Sequence, residues 1–190
     1  MARLPYVDLD SAPPHIREVF EILPAQLNIF RMMAHAETNF RPLLRLGTSI
    51  LAEQKLSGKL RELAILQVAQ QSPAQYEWIQ HVPIGKVVGL SDDQIAALER
   101  GDIDADCFDA EERAVLAFTG DLVREVRPSE ANFALIQERF SSREIVELIL
   151  AVGYYMMLAR LMETTGLDLD EAAGGKVFEQ VQRSGGKLNK

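Results

Sequence analysis

The chain is poor in cysteine. Cys107 stands alone among 190 residues, so no internal disulfide can form, as suits a reducing compartment. Basic residues are outnumbered, 20 Lys and Arg against 28 Asp and Glu, for a formal charge of −8. That balance argues against a nucleic acid or an anionic membrane surface as partner. Long apolar runs are missing. The longest, Leu148 to Ala159, falls short of the roughly 20 residues that span a bilayer. The opening MARLPYVDLD has no apolar leader core. Together these absences predict a cytoplasmic protein with no membrane and no nucleic-acid partner. Strand alternation is absent as well, and no Pro-, Gly- or Ser-rich linker divides the chain.

What is present is helical. With 47% hydrophobic residues the chain can bury a sizeable core. Pro13-Pro14 leads into IREVFEIL, which stops near Pro24. Leu27 to Ala36 reads as a buried turn or short helix, and Asn39 to Gln54 as an amphipathic helix. Ser57 caps the next helix. Three capping boxes follow, at Ser91–Gln94, Asp109–Glu112 and Ser141–Glu144, and Ser129 caps one further helix. Gly166 closes the helix that begins at Ser141, and the tail holds one more. Met156, Met157 and Met162 recur at helical spacing as core filling. The fold class predicted is all-α, a bundle of about eight helices in a single domain over 1–190, with 1–12 and 183–190 as flexible arms.

The stretch from Arg61 to Gly89 holds the candidate site. At about 100° per residue, Leu66 and Ala69 share the face of Glu62, and Leu60, Leu63, Ala64 and Val68 cover the other sides. A helix apolar all round is buried, so Glu62 is expected inside or at a cleft, where it needs a partner or a proton. Ser72 and Pro73 are expected to start the following helix as N-cap and first residue, and Gly89 to end it. Within it Glu77 and His81 lie four apart on one face, with Tyr76 and the sole tryptophan, Trp78, beside them. Pro83 removes one backbone donor from this helix.

Glu62, Glu77 and His81 are compatible with three arrangements. One is an acid–base centre, since imidazole gives and takes protons near neutral pH. Another is a metal site of one histidine and two carboxylates. The third is a solvated Glu–His pair beside a structural glutamate. Tyr76 and Trp78 are candidate pocket-lining residues, although aromatics at a helix start commonly serve the core. Lys86 and His35 are cations suited to an acid substrate, but nothing in their spacing brings them to the site. A short internal similarity suggests a two-fold repeat. Leu56-Ser57 followed by RELAIL parallels Phe140-Ser141-Ser142 followed by VELIL, with Glu62 and Glu147 in corresponding places.

The RELAIL segment at Arg61–Leu66, YEW at Tyr76–Trp78, His81 and the following VPIGKVVGLSDDQI resemble the carboxymuconolactone decarboxylase family, which includes the alkylhydroperoxidase D proteins. The likeness covers about 39–125 as a core, and the second helical half, 126–170, more loosely. It joins a motif to a spacing: a glutamate, then a histidine 19 residues on. In the peroxidase branch that interval carries a Cys-x-x-Cys pair, and those positions here are Ala74 and Glu77. Thiol peroxide chemistry is therefore disfavoured, and Cys107 is not at a motif position. The resemblance implies a cofactor-independent lyase acting on a small organic acid or lactone, with no metal. His81 would be the general acid or base, Glu62 its orienting partner, Glu77 a substrate contact or proton relay, and Tyr76 and Trp78 substrate-binding residues. It also implies a homo-oligomer, trimer or hexamer. A peroxidase using a thiol from elsewhere and a non-catalytic assembly module are the alternatives.

Overall fold

Helix α4 (Gly58–Gln71) is the axis of the molecule. Every residue from Leu60 to Ala69 is buried, because hydrophobic side chains leave the helix in all directions and neighbours must cover each of them. Leu63 and Leu66 are fully enclosed, and each contributes about 1.5–3 kcal/mol by leaving water. The cost is that Arg61, Glu62 and Gln67 are carried inside with them.

A computed structural model describes residues 1–183. Around α4 stand α5 (Gln75–Val87), α7 (Ala110–Glu125) and α9 (Ser142–Thr165), which form its main packing surfaces. The remaining helices are α1 (Pro14–Ile22), α2 (Asn28–Met33), α3 (Glu37–Ala52), α6 (Asp92–Glu99), α8 (Glu130–Arg139) and α10 (Gly174–Arg183). The described residues are all-helical, and the count of ten exceeds the expected eight through short elements such as α2 and α10.

All three capping boxes form. At Ser91, Asp109 and Ser141 the side chain accepts from the N3 backbone amide while the N3 side chain returns to the cap. The box residue Glu112 does more than cap. It is buried, accepts from Gln94 Nε2 at 2.8 Å and pairs with Lys59 Nζ at 2.6 Å, tying α6 and α7 to the start of α4. Ser57 and Ser129 cap α4 and α8 as expected. At the end of α5, Gly89 adopts φ 102°, and Leu90 N–H reaches the Gly85 carbonyl at 2.8 Å, closing the helix in a Schellman turn.

The start of α5 differs from expectation. Ser72 is the C-cap of α4, and α5 begins only at Gln75 with Ala74 as an N-cap that offers no side-chain bond. The reason lies in the backbone: Ala74 N–H bonds the Ala69 carbonyl at 2.8 Å, so the chain wraps on around the end of α4 before the next helix begins. Pro83 does not end α5, which continues to Val87.

The expected flexible N-terminal arm is tied down. Arg3 N–H donates to the Thr165 carbonyl at 2.7 Å, the Tyr6 hydroxyl donates to Asp168 Oδ2 at 3.1 Å, and Arg31 donates to the Val7 carbonyl. Of the expected C-terminal arm, Arg183 ends α10 and 184–190 lie outside the described residues. The two segments of the short internal similarity form serine-capped helices, α4 and α9, which pack on each other. Helix α9 is long and apolar enough to cross a bilayer by composition, but half of its most apolar stretch is buried in the protein, as in a core helix. Met162 is buried, whereas Met157, expected in the core, is exposed.

Helix α10 closes over α5 and α3 through Phe178 and Val181. Its first residue lies so close to α5 that a Cβ on Gly174 would collide with the Gln80 carbonyl oxygen. Gly174→Ala should therefore undock α10 while leaving the bundle folded. Amide hydrogen exchange should rise at 174–183 and stay slow in α4; unchanged protection of α10 would contradict this packing.

Candidate active site

Glu62 is completely buried, and its carboxylate oxygens are divided between two partners. Oε2 lies 2.8 Å from His81 Nδ1, and Oε1 accepts from Arg61 Nε at 3.0 Å. A carboxylate only accepts, so Nδ1 carries the hydrogen, and in the neutral imidazole the lone pair is on Nε2. Nε2 has no hydrogen-bond partner among the described residues. The Glu62–His81 contact depends on register. The tight turn at 72–74 sends α5 back along α4, and 19 residues after Glu62 the histidine arrives beside it.

Arg61 is also buried. Its guanidinium reaches the Ile50 carbonyl at 3.5 Å and lies 5.6 Å from the centre of the Phe178 ring of α10. A paired arginine under an aromatic lid keeps the negative charge of Glu62 compensated in a low-dielectric setting.

Glu77 has the opposite environment. It is buried, and neither carboxyl oxygen has a hydrogen-bond partner. Burial, followed by the nearby Glu62 charge, holds its pKa well above the usual carboxylate range. Glu77 is thus a neutral acid, with a hydrogen to donate. Tyr155 on α9 completes the group. Its ring meets the His81 imidazole edge-on at 4.6 Å, and burial, with the Glu62 charge second, pushes its phenol pKa up and keeps it protonated.

His81 and Glu77 open on a cavity of about 150 Å³ between α1, α2, α3, α5, α9 and α10. Its walls are mostly apolar side chains such as Ile29, Met33, Leu158 and Val177. Glu62 stands behind His81 and does not line it. Tyr76 does, with its hydroxyl engaged by Asp170 Oδ2 at 2.5 Å. Trp78 does not line the cavity; it packs, half-buried, against the core. Lys86 pairs with Asp92, His35 lies 2.7 Å from the Pro5 carbonyl, and neither is a lining residue. Cys107 lies in the loop between α6 and α7, away from the cavity lining, and its carbonyl accepts from Gln94. Among the described residues no group of three or more His, Cys, Asp and Glu side chains is arranged to hold a metal ion.

Several members of this site escape sequence reading. Tyr155 sits in a nearly all-apolar helix with nothing local to mark it. Arg61 is visible as a charge in an apolar helix, but its partner is not. Gln80 looks like an ordinary polar residue, yet its amide oxygen accepts from Ala173 N–H and Gly174 N–H, both at 3.0 Å, and its nitrogen donates to the Glu171 carbonyl at 3.0 Å. It thereby anchors the start of α10 one residue from His81.

None of the curated proteins matches the sequence. Among solved structures, the chain is similar to an alkylhydroperoxidase AhpD core, an uncharacterized peroxidase-related protein from Ralstonia eutropha, with TM-score 0.77 and 19% identity over 95% of this chain and 96% of that one. An uncharacterized peroxidase-related protein from a Silicibacter species gives TM-score 0.76 and 20% identity over 93% and 95%. The debrominase Bmp8 gives 0.73 and 15% over 93% and 96%. These likenesses show the fold. Residues 38–120, which hold Glu62, Glu77 and His81, match the carboxymuconolactone decarboxylase family. The chain thus has an alkylhydroperoxidase D-like fold in which residues 38–120 match the carboxymuconolactone decarboxylase family, with Ala74 and Glu77 at the positions where the peroxidase branch carries its cysteine pair.

Proposed function

We propose that the protein is a cofactor-independent acid–base enzyme of the carboxymuconolactone decarboxylase type, a lyase acting on a small organic acid or lactone. The observation that carries this reading is the 2.8 Å contact between the enclosed Glu62 and His81 Nδ1. It leaves Nε2 as a base next to a neutral Glu77. Two carboxyl groups with opposed environments divide the roles of charge stabiliser and acid. In the forward direction His81 Nε2 takes a proton from the substrate, and Glu62 stabilises the imidazolium so formed. When CO₂ leaves, the bonding pair passes into the lactone as an enolate. Glu77 donates a hydrogen bond to that developing oxygen while keeping its own proton, and the imidazolium returns the proton to carbon, which restores His81 as the base.

A thiol mechanism has less support, because Cys107 is not a cavity residue and Ala74 and Glu77 carry no sulfur. The debrominase, also solved as a cysteine-to-alanine variant with 2,3,4-tribromopyrrole, is too distant to transfer its chemistry. The single cysteine and acidic composition support a cytoplasmic setting. Self-association is part of the proposal. Helix α9 leaves Val146, Ile149, Leu150 and Met157 exposed along one side, with the open Gly153 between them.

Three outcomes are expected. His81→Gln should lower turnover of small lactone acids, followed by CO₂ release, by about 10²–10⁴-fold while the protein stays folded; turnover at the wild-type rate would overturn the mechanism. Glu77 holds a proton in the native state that the unfolded chain releases above its ordinary range, so its contribution to stability is present at low pH and lost as pH rises. Glu77→Gln should therefore gain on the wild type by roughly a factor of ten in the folding constant per pH unit, within the window between the unfolded and native values. Urea titrations from pH 5 to 8 check this, and parallel profiles would exclude a neutral Glu77. Light scattering should give the mass of a trimer or hexamer, reduced by Ile149→Glu.

A further inference from the structure

Apart from Thr48, the polar groups free to meet a ligand gather at two levels of the cavity. On its floor stand His81, Glu77 and Tyr155, all buried. Of the other polar side chains of the inner wall, all but the buried Thr48, whose hydroxyl has no hydrogen-bond partner among the described residues, are already satisfied. Tyr76 bonds Asp170, Tyr154 bonds the Leu43 carbonyl at 3.0 Å, and the Gln80 amide holds the start of α10. At the rim stand Arg41 and Arg45, one turn apart on α3 and both exposed. Arg41 meets only Glu18, at 4.0 Å between two exposed side chains, a contact worth little in water. Arg45 has no hydrogen-bond or ion-pair partner among the described residues. Glu77 is the one carboxyl in the lining, and its burial favours the neutral form. In a chain of net charge −8, this opening carries two positive charges and no ionised acid of its own.

We infer that the cavity binds a single-ring or similarly compact apolar molecule whose anionic group stays at the rim with Arg45 and Arg41, while its reacting end meets His81 and Glu77. The size follows from the volume: an engineered apolar cavity of about 150 Å³ accepts a benzene molecule. The polarity follows from the walls, which are mostly apolar and, apart from the Thr48 hydroxyl, offer no free hydrogen-bonding group between floor and rim. The orientation follows from charge. An anion at the floor would lie near Glu62, whereas at the rim it gains two guanidinium donors. The anchored carboxylate is therefore kept through the reaction, and the group that gains or loses a proton, or leaves as CO₂, is at the other end of the molecule. This assignment rests on the acid–base reading for what happens at His81, but the binding it describes does not require turnover.

The test is a binding titration with two probes of the same ring, 3-phenylpropanoate and 3-phenylpropan-1-ol, read by calorimetry and by the side-chain NMR signals of His81. The carboxylate should bind about tenfold more tightly at low salt. That preference should fall in Arg45→Gln and vanish in Arg41→Gln/Arg45→Gln, and the His81 signals should move with both probes. Equal affinity for the two probes, a preference that survives in the double variant, a bound carboxylate that leaves His81 unmoved, or no binding of either probe would each overturn the assignment. The two readings fail separately. Turnover that survives His81→Gln removes the acid–base mechanism and leaves the arginine preference standing. Loss of the preference with turnover still dependent on His81 does the reverse.

Discussion

The buried carboxylate of Glu62 is the constraint on which the site depends. An ionised group with no access to water is tolerated only if its charge is matched and its oxygens are bonded. Here Arg61 supplies the charge and His81 the second hydrogen bond. Meeting that requirement organises the neighbours. Helix α5 must return along α4 in one register, and α10 must cover the guanidinium with Phe178. The same arrangement leaves a histidine with one ring nitrogen committed and the other open at the cavity. Stability and chemistry are thus served by a single hydrogen bond.

The charge balance of this cluster accounts for Glu77. Arg61 and Glu62 already compensate each other. A second carboxylate a helical turn before His81 has no cation to meet it, and both of its oxygens lack partners. Keeping its proton is the lower-energy solution. Two glutamates within one short stretch therefore end in different states, although neither its type nor its spacing distinguishes them. A cysteine pair at 74 and 77 would provide a nucleophile; Ala74 is instead a buried core residue, and burial favours the protonated, donor form of Glu77. That difference removes thiol chemistry from these two positions and underlies the proton-transfer function we propose.

The comparison of α4 with α9 shows how similar helix starts diverge. Both open on a serine cap and carry one embedded glutamate. Glu147, however, accepts from the backbone amides of Lys55 and Leu56 and from Arg143, and so secures the entrance to α4. Glu62 meets a histidine and an arginine. The first is a structural strut and the second a candidate catalytic partner, and the difference comes from what lies opposite each of them. Gln80 and Gly174 play a comparable supporting part. Their contact brings α10 onto α5 and thereby helps to wall the cavity next to His81.

Much of this was determined by local chemistry and could be read in the order of residues. Caps, glycine stops and the apolar helix around Glu62 follow from interactions within a few positions, so the all-α class, the buried Glu62 and the shared face of Glu77 and His81 are legible. The start of α5 was misread because its first turn is set by a backbone bond back to Ala69 and not by the Ser-Pro signal. The tethering of residues 3–7 is not legible locally, because the Tyr6 partner lies 162 positions away, the Arg3 partner Thr165 is as distant, and Val7 meets Arg31 24 positions on. For the same reason only the tertiary structure decides that Glu62 bonds His81, that Tyr155 and two rim arginines share their cavity, and that Trp78 does not. Helical periodicity reports which residues share a face. It carries no information about which face of another helix will be packed against it, and in a bundle that pairing is what makes a site.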